Sequence, residues 1–230
     1  MKRLFLLTGC FVPIAGVCCT TCNPQLQQKI RDSTFMPNLL SMFSAFIILS
    51  GIVALLAQAS TKKHRRILRL YPQTIYSDPV PVTTAAIILG IGLGGFIDGI
   101  FLHQILQWHQ MLSHKLVPDN LLNKSVNMFW DGIFHLFTLV VVIVGVLLLW
   151  RLSGLTNKSR SGQLFGGGLL MGWGIFNVVE GTINHHILKL HNVREVTPHP
   201  EYWNLGVLIL SVLMIAVGWL IMWMRKSKNA

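Results

Sequence analysis

The sequence predicts an all-α fold: a polytopic transmembrane helical bundle whose four-helix core is formed by two pseudo-repeated helix pairs, plus one additional N-terminal span. Three observations carry this. The 230 residues are 52% hydrophobic and only 12% charged, about half the charged content of a soluble domain. Apolar runs of bilayer length recur along the chain, separated by short polar segments. One of the segments at the end of an apolar run is written twice: Asp98-Gly99 with His103 and His109 returns as Glu180-Gly181 with His185 and His191, at the same spacing. A shorter copy, Asp131-Gly132-Ile133-Phe134-His135, lies between them. The net charge of +11 would suggest a nucleic-acid partner in a soluble protein. Here the Lys and Arg sit between apolar spans, where membrane topology places them, so nucleic acid is excluded and the lipid bilayer is the expected partner.

Taken in order, residues 1–22 read as a signal peptide or N-terminal anchor: Met1-Lys2-Arg3 precedes an apolar run from Leu4 to Val17. All four Cys lie there, at 10, 18, 19 and 22, so no disulfide framework runs through the body of the protein. The Cys18/Cys19/Cys22 cluster is read as surface thiols or a disulfide, with metal binding or thiol exchange as the alternative. Residues 23–81 form the next unit. A polar outer segment, Asn23–Asn38, leads into a span over Met42–Ala59, then the basic run Lys62-Lys63-His64-Arg65-Arg66 with Arg69, and a proline-punctuated connector from Tyr71 to Pro81.

Residues 82–224 are the four-helix membrane domain. Its spans are Val82–Leu102, Val126–Leu149, Leu164–Ile187 and Tyr202–Met224, and residues 225–230 form a cytoplasmic tail. Glycines at 90, 92, 94 and 95 mark a helix that neighbours approach closely. The resulting topology is self-consistent: of the 19 Lys and Arg, thirteen fall on the predicted cytoplasmic side and six on the outer side. The Trp at 108, 130, 203, 219 and 223 lie near predicted span ends, as interfacial aromatics do.

Asp98, Asp131 and Glu180 all fall within spans, one or two turns from the outer end. An ionisable group at such depth costs about 2.5–3.5 kcal/mol on insertion scales, which requires pairing, hydration or use. Asp131 and His135, at i and i+4, share a helix face. Asp98 and His103 are five apart, which turns a regular helix by about 140°, so each would face a different neighbour unless the helix is broken at its glycine, with Gly99 beneath His103 leaving room for its ring or a cofactor. The same holds for Glu180 and His185. A site is therefore expected to be shared between helices, as in bundles that ligate metals through inward His and carboxylates. His103, His135, His185 and His186 are the expected ligands, with Asp98, Asp131 and Glu180 as ligands or orienting groups and His109 and His191 lining the mouth. Imidazole suits copper, zinc and iron, and mixed carboxylate and imidazole favours iron or zinc; copper or iron is the expected metal, for redox chemistry or metal handling beside respiratory or metal-handling membrane proteins. Three other readings stay open. The His could hold haem for electron transfer, acids and His could form a proton relay in a transporter or channel, or the polar layer could only join helices. No enzyme class follows.

Several of these stretches, taken together, resemble a known family. They are Gly95-Phe96-Ile97-Asp98-Gly99 with His103, Trp108 and His109; Asp131-Gly132 with His135; and Gly172-Trp173-Gly174 through Glu180, His185, His186 and His191. In this order they resemble a bacterial membrane-protein family catalogued as domain of unknown function 2243, over roughly residues 82–224. The resemblance implies a small multi-pass protein of the bacterial inner membrane, with the site facing the periplasm or cell exterior, and implies no activity. The chain departs from the family pattern at Trp203-Asn204, where Trp-Asp would match Trp130-Asp131 and supply a fourth acid.

Overall fold

The computed structural model describes residues 23–70, 80–153 and 162–228. The expected leader at 1–22 with its four Cys, the connector at 71–79 and the linker at 154–161 lie outside the described residues, as do the side chains of His64, Arg225, Lys226 and Lys228. The described elements are α1 (Pro24–Ile30), α2 (Phe35–Leu70), α3 (Val80–Asp98) continued by a π-helix π1 (Gly99–Ile105), α4 (Leu121–Ser153), α5 (Gly162–Glu180) continued by π2 (Gly181–Ile187), and α6 (Pro200–Lys228).

The amino-terminal elements differ from expectation in two places. The segment read as polar and outer contains α1, whose start is capped by Asn23 Oδ1 accepting from the Gln25 and Leu26 amides at 3.0 and 3.1 Å. Leu26 and Ile30 bury its apolar side. The basic run expected to follow the first span instead continues α2 as helix to Leu70.

Among the described residues, four helices are long and apolar enough to cross a membrane: Phe35–Lys63, Val80–Ile105, Leu121–Leu152 and Pro200–Met224. The remaining expected span, Leu164–Ile187, is helical throughout but is not among them. Glycines at 166–168, 172 and 174 dilute its hydropathy, and its position explains why that is tolerated. It packs between α3 and α6, so protein rather than lipid covers much of its surface.

The α3–α4 and α5–α6 hairpins are copies of one another, packed through their first helices. Gly90 of α3 lies against the Leu169 backbone and Gly172 of α5 against the Ile87 backbone, so close that a methyl group at either would strike a carbonyl oxygen. Each first helix meets its own partner the same way. A Cβ at Gly92 would come within 2.7 Å of the Val142 amide on α4, and one at Gly174 within 2.6 Å of the Ser211 carbonyl on α6. Such backbone contact replaces the hydrophobic drive that lipid does not supply between membrane helices. Trp130, expected at an interface, is instead buried and tilted against Phe35 at 5.4 Å between ring centres.

Candidate metal centre

The site forms where α3 and α5 end, and a change of helix type creates it. Both helices widen to a π-helix right after their acidic residue. The Leu106 amide donates to Phe101 O at 2.8 Å and the Leu188 amide to Ile183 O at 2.7 Å, each an i to i+5 bond. A turn closed over five residues brings i and i+5 onto one face. The divergence expected of acid and histidine on a regular helix is therefore overturned, because the helix changes type at the glycine of each copy. His103 Nε2 lies 3.3 Å from Asp98 Oδ2, and His185 Nε2 lies 3.3 Å from Glu180 Oε1. Each widened turn ends in a left-handed residue, Gln107 and Lys189, both at φ 49°. Neither is glycine, so each copy stores a local strain of order 1 kcal/mol.

These turns throw the following loops back over the bundle. The His114 amide donates to Leu190 O and the Glu195 amide to Trp108 O, both at 2.9 Å. Arg194 sits 5.1 Å from the centres of both Trp108 and Trp203, which clamps the loop edges by cation–π contact. The exposed His114 adds a bridge through Nε2 to Glu195 Oε2 at 3.0 Å.

The folded-back loops carry His109 and His191 into the centre rather than to the mouth. Both are buried, and their rings stack at 4.5 Å and 5°. His103 meets His109 at 4.4 Å and His185 meets His191 at 4.7 Å, so the four rings form one cluster. The loops exchange hydrogen bonds reciprocally. His109 Nδ1 is 2.8 Å from Val193 O and His191 Nδ1 is 3.0 Å from Met111 O, residues at equivalent places in the two copies. A carbonyl only accepts, so both Nδ1 atoms carry the proton; His109 Nε2 is then left with an inward lone pair, whereas His191 Nε2 faces Glu180 Oε1. Burial, then the neighbouring His103, His191 and His185, hold His109 well below its ordinary value of 6.5. Burial likewise lowers His191.

The acids complete the arrangement. Asp131 Oδ1 lies 2.9 Å from His103 Nδ1 and accepts from the Met111 amide at 2.9 Å. Asn204 stands in the matching place of the second copy, where its Oδ1 accepts from the Val193 amide at 2.9 Å. Glu180 Oε1 accepts from Asn184 Nδ2 at 3.2 Å and lies 3.1 Å from His191 Nε2. Two overlapping sets, His103 with His109 and His191, and Glu180 with His185 and His191, each bring one ligand atom per residue within 4.8 Å of the others. The Nε2 atoms of His103, His109 and His185 are buried without a hydrogen-bond partner among the described residues.

Two of the residues singled out from sequence lie elsewhere. His135 does not reach its neighbour's carboxylate; its Nδ1 bonds the Asp131 main-chain oxygen at 2.7 Å. Its ring fills the space at Gly99, where a Cβ would stand 2.6 Å from His135 Nε2, so that glycine makes room for His135 and not for His103 or a cofactor. His186 is exposed on the outer side of π2. Sequence reasoning gave no role to Asn204, Asn184 or the Met111 and Val193 carbonyls. The repeated Trp-Asp and Trp-Asn pairs were the one signal that pointed to Asn204.

A family model described as "Predicted membrane protein (DUF2243)" matches residues 85–225, more than half of the chain. No curated protein and no solved structure is detectably similar to it.

Proposed function

The chain belongs to the DUF2243 family of predicted membrane proteins, and from that premise we propose that it is a metal-binding inner-membrane protein of bacteria, with a centre for copper or iron used in redox chemistry or metal handling. The centre would open to the periplasmic or outer side. One observation carries the reading: His103, His109 and His191 converge within 4.8 Å, each with its Nδ1 already engaged by Asp131, Val193 O or Met111 O. Nδ1 protons fixed on outer acceptors set the tautomer and aim the remaining ring nitrogens, the arrangement found around metal-ligating histidines. The buried Nε2 atoms of His103, His109 and His185 have no hydrogen-bond partner among the described residues, and a cation between them and the carboxylates would supply one.

His103, His109, His185 and His191 would hold the ion, with Glu180 and Asp98 as the carboxylates at its edge. A set dominated by imidazole with one or two carboxylates suits copper or iron. The bound ion would supply one-electron chemistry. The chain's own residues orient and dry the site: Phe134 lies along His103 at 5.6 Å and 15°, and Met111, Leu112 and Leu190 of the folded-back loops are buried. Mutual contact of the four rings favours an ion over haem, whose axial ligands must stand on opposite faces of a macrocycle.

Elemental analysis of protein purified without an affinity His tag tests the proposal. Wild type should carry copper or iron, and His109→Ala/His191→Ala and His103→Ala/His185→Ala should each lose it. Equal metal in all three preparations would refute it. A second reading is favoured by one contact chain, in which His103 is bracketed by Asp98 at 3.3 Å and Asp131 at 2.9 Å. That is also how a proton relay would hold an imidazolium. It requires metal-free protein to move protons in vesicles, with the movement lost in Asp98→Asn.

A further inference from the structure

At the end of the bundle far from the histidines, α2 and α4 enclose an open cavity of about 1190 Å3. Its polar wall comes from two helices: Lys62, Arg65, Arg66 and Arg69 from α2, and Arg151 from α4. The four on α2 fall at i, i+3, i+4 and i+7, which places them on one helical face. Among the described residues no acid lines the cavity, and none of the five makes an ion pair. Like charges at i and i+4 destabilise a helix when nothing neutralises them, yet α2 stays helical to Leu70. A plain topology signal needs the charges but not their convergence on a second helix. The opposite wall is apolar, formed by Leu55, Val144, Leu147 and Leu148. Leu55 and Leu147 are 69% and 54% exposed, as surfaces that face an acyl chain would be.

From this juxtaposition we infer that the cavity is a binding site for an anionic phospholipid, with its phosphate among the arginines and an acyl chain along the leucine wall. A juxtamembrane basic cluster attracts anionic lipid at about 1 kcal/mol per Lys or Arg, and the planar guanidinium fork matches phosphate oxygens. The site is independent of the metal centre, so either proposal can fail alone.

Native mass spectrometry of the detergent-solubilised full chain tests it, with phosphatidylglycerol and phosphatidylcholine of the same acyl chains as probes. Phosphatidylglycerol should be retained selectively, and Arg65→Gln/Arg69→Gln should weaken it at least about tenfold. Arg151→Gln, on the other helix, should weaken it independently while metal content stays unchanged. Leu55→Asn/Leu147→Asn should also lose the lipid, and millimolar inorganic phosphate should not displace it. Equal retention of the two lipids, or arginine variants that bind as wild type does, would overturn the inference. So would full displacement by phosphate together with an unaffected leucine variant, which would mark a simple anion site.

Discussion

Asp131→Asn isolates what a single charge does for the candidate centre. The Asp131 side chain is fully buried, and one oxygen serves both His103 Nδ1 and the Met111 amide at 2.9 Å. An asparagine keeps an oxygen in that place, as Asn204 does for the Val193 amide, so the loop should stay anchored. What goes is the charge on two hydrogen bonds, about 1 kcal/mol each or roughly 2 kcal/mol in all. Loss of the acid that orients a ligating imidazole should weaken metal binding about 10- to 100-fold. Asp131→Ala instead strands two buried donors at about 1–3 kcal/mol each, roughly 2–6 kcal/mol. Affinity for copper or iron by competition with a chelator, and thermal unfolding in detergent, are the two assays. Wild-type metal affinity in Asp131→Asn would refute the argument, as would an alanine variant as stable as the asparagine one.

Other variants and conditions probe the packing and the pH response. Gly172→Ala should unfold or loosen the bundle by several degrees, because its methyl meets the Ile87 carbonyl, whereas Gly166→Ala, with open space around it, should be neutral or slightly stabilising; melting temperatures in detergent compare them. Gly99→Ala should displace His135 and cost about 1–3 kcal/mol of stability, while the matching Gly181→Ala meets nothing within 4 Å and should be tolerated. His109 sits below its ordinary 6.5 in the folded state, so it takes up its proton more readily when unfolded. Its contribution is present above about pH 6.5 and lost as pH falls below it, and His109→Gln should flatten part of the decline in melting temperature between pH 7 and 5.

The membrane character and the helical pairs were legible because hydropathy and a duplicated motif are properties of residue type and spacing. The helix type was not. A π-helix is a choice of backbone hydrogen bonds, and Gly99–Ile105 has no side-chain periodicity that separates it from the α-helix before it. The available cue was the spacing itself: an acid and a histidine five apart, twice, is what a five-residue turn brings together. Reading that spacing on a regular helix separated Asp98 from His103 and left His135 as the nearest partner for an acid. His109 and His191 were misplaced for a different reason. Their position depends on bonds from each loop to the other, which neither local stretch contains.

Those crossed bonds, His109 to Val193 and His191 to Met111, have a consequence for symmetry. A dimer of one such hairpin about a two-fold axis would make a single bond of this kind twice, because a self-complementary interface repeats every contact. It would also be obliged to place the same residue beside both His103 and its mate. Joining the hairpins in one chain removes that obligation, and residues 131 and 204 use the freedom: one is an acid, the other an amide. The two halves of the ring cluster thus sit in unequal fields, so an ion between them would have a preferred side.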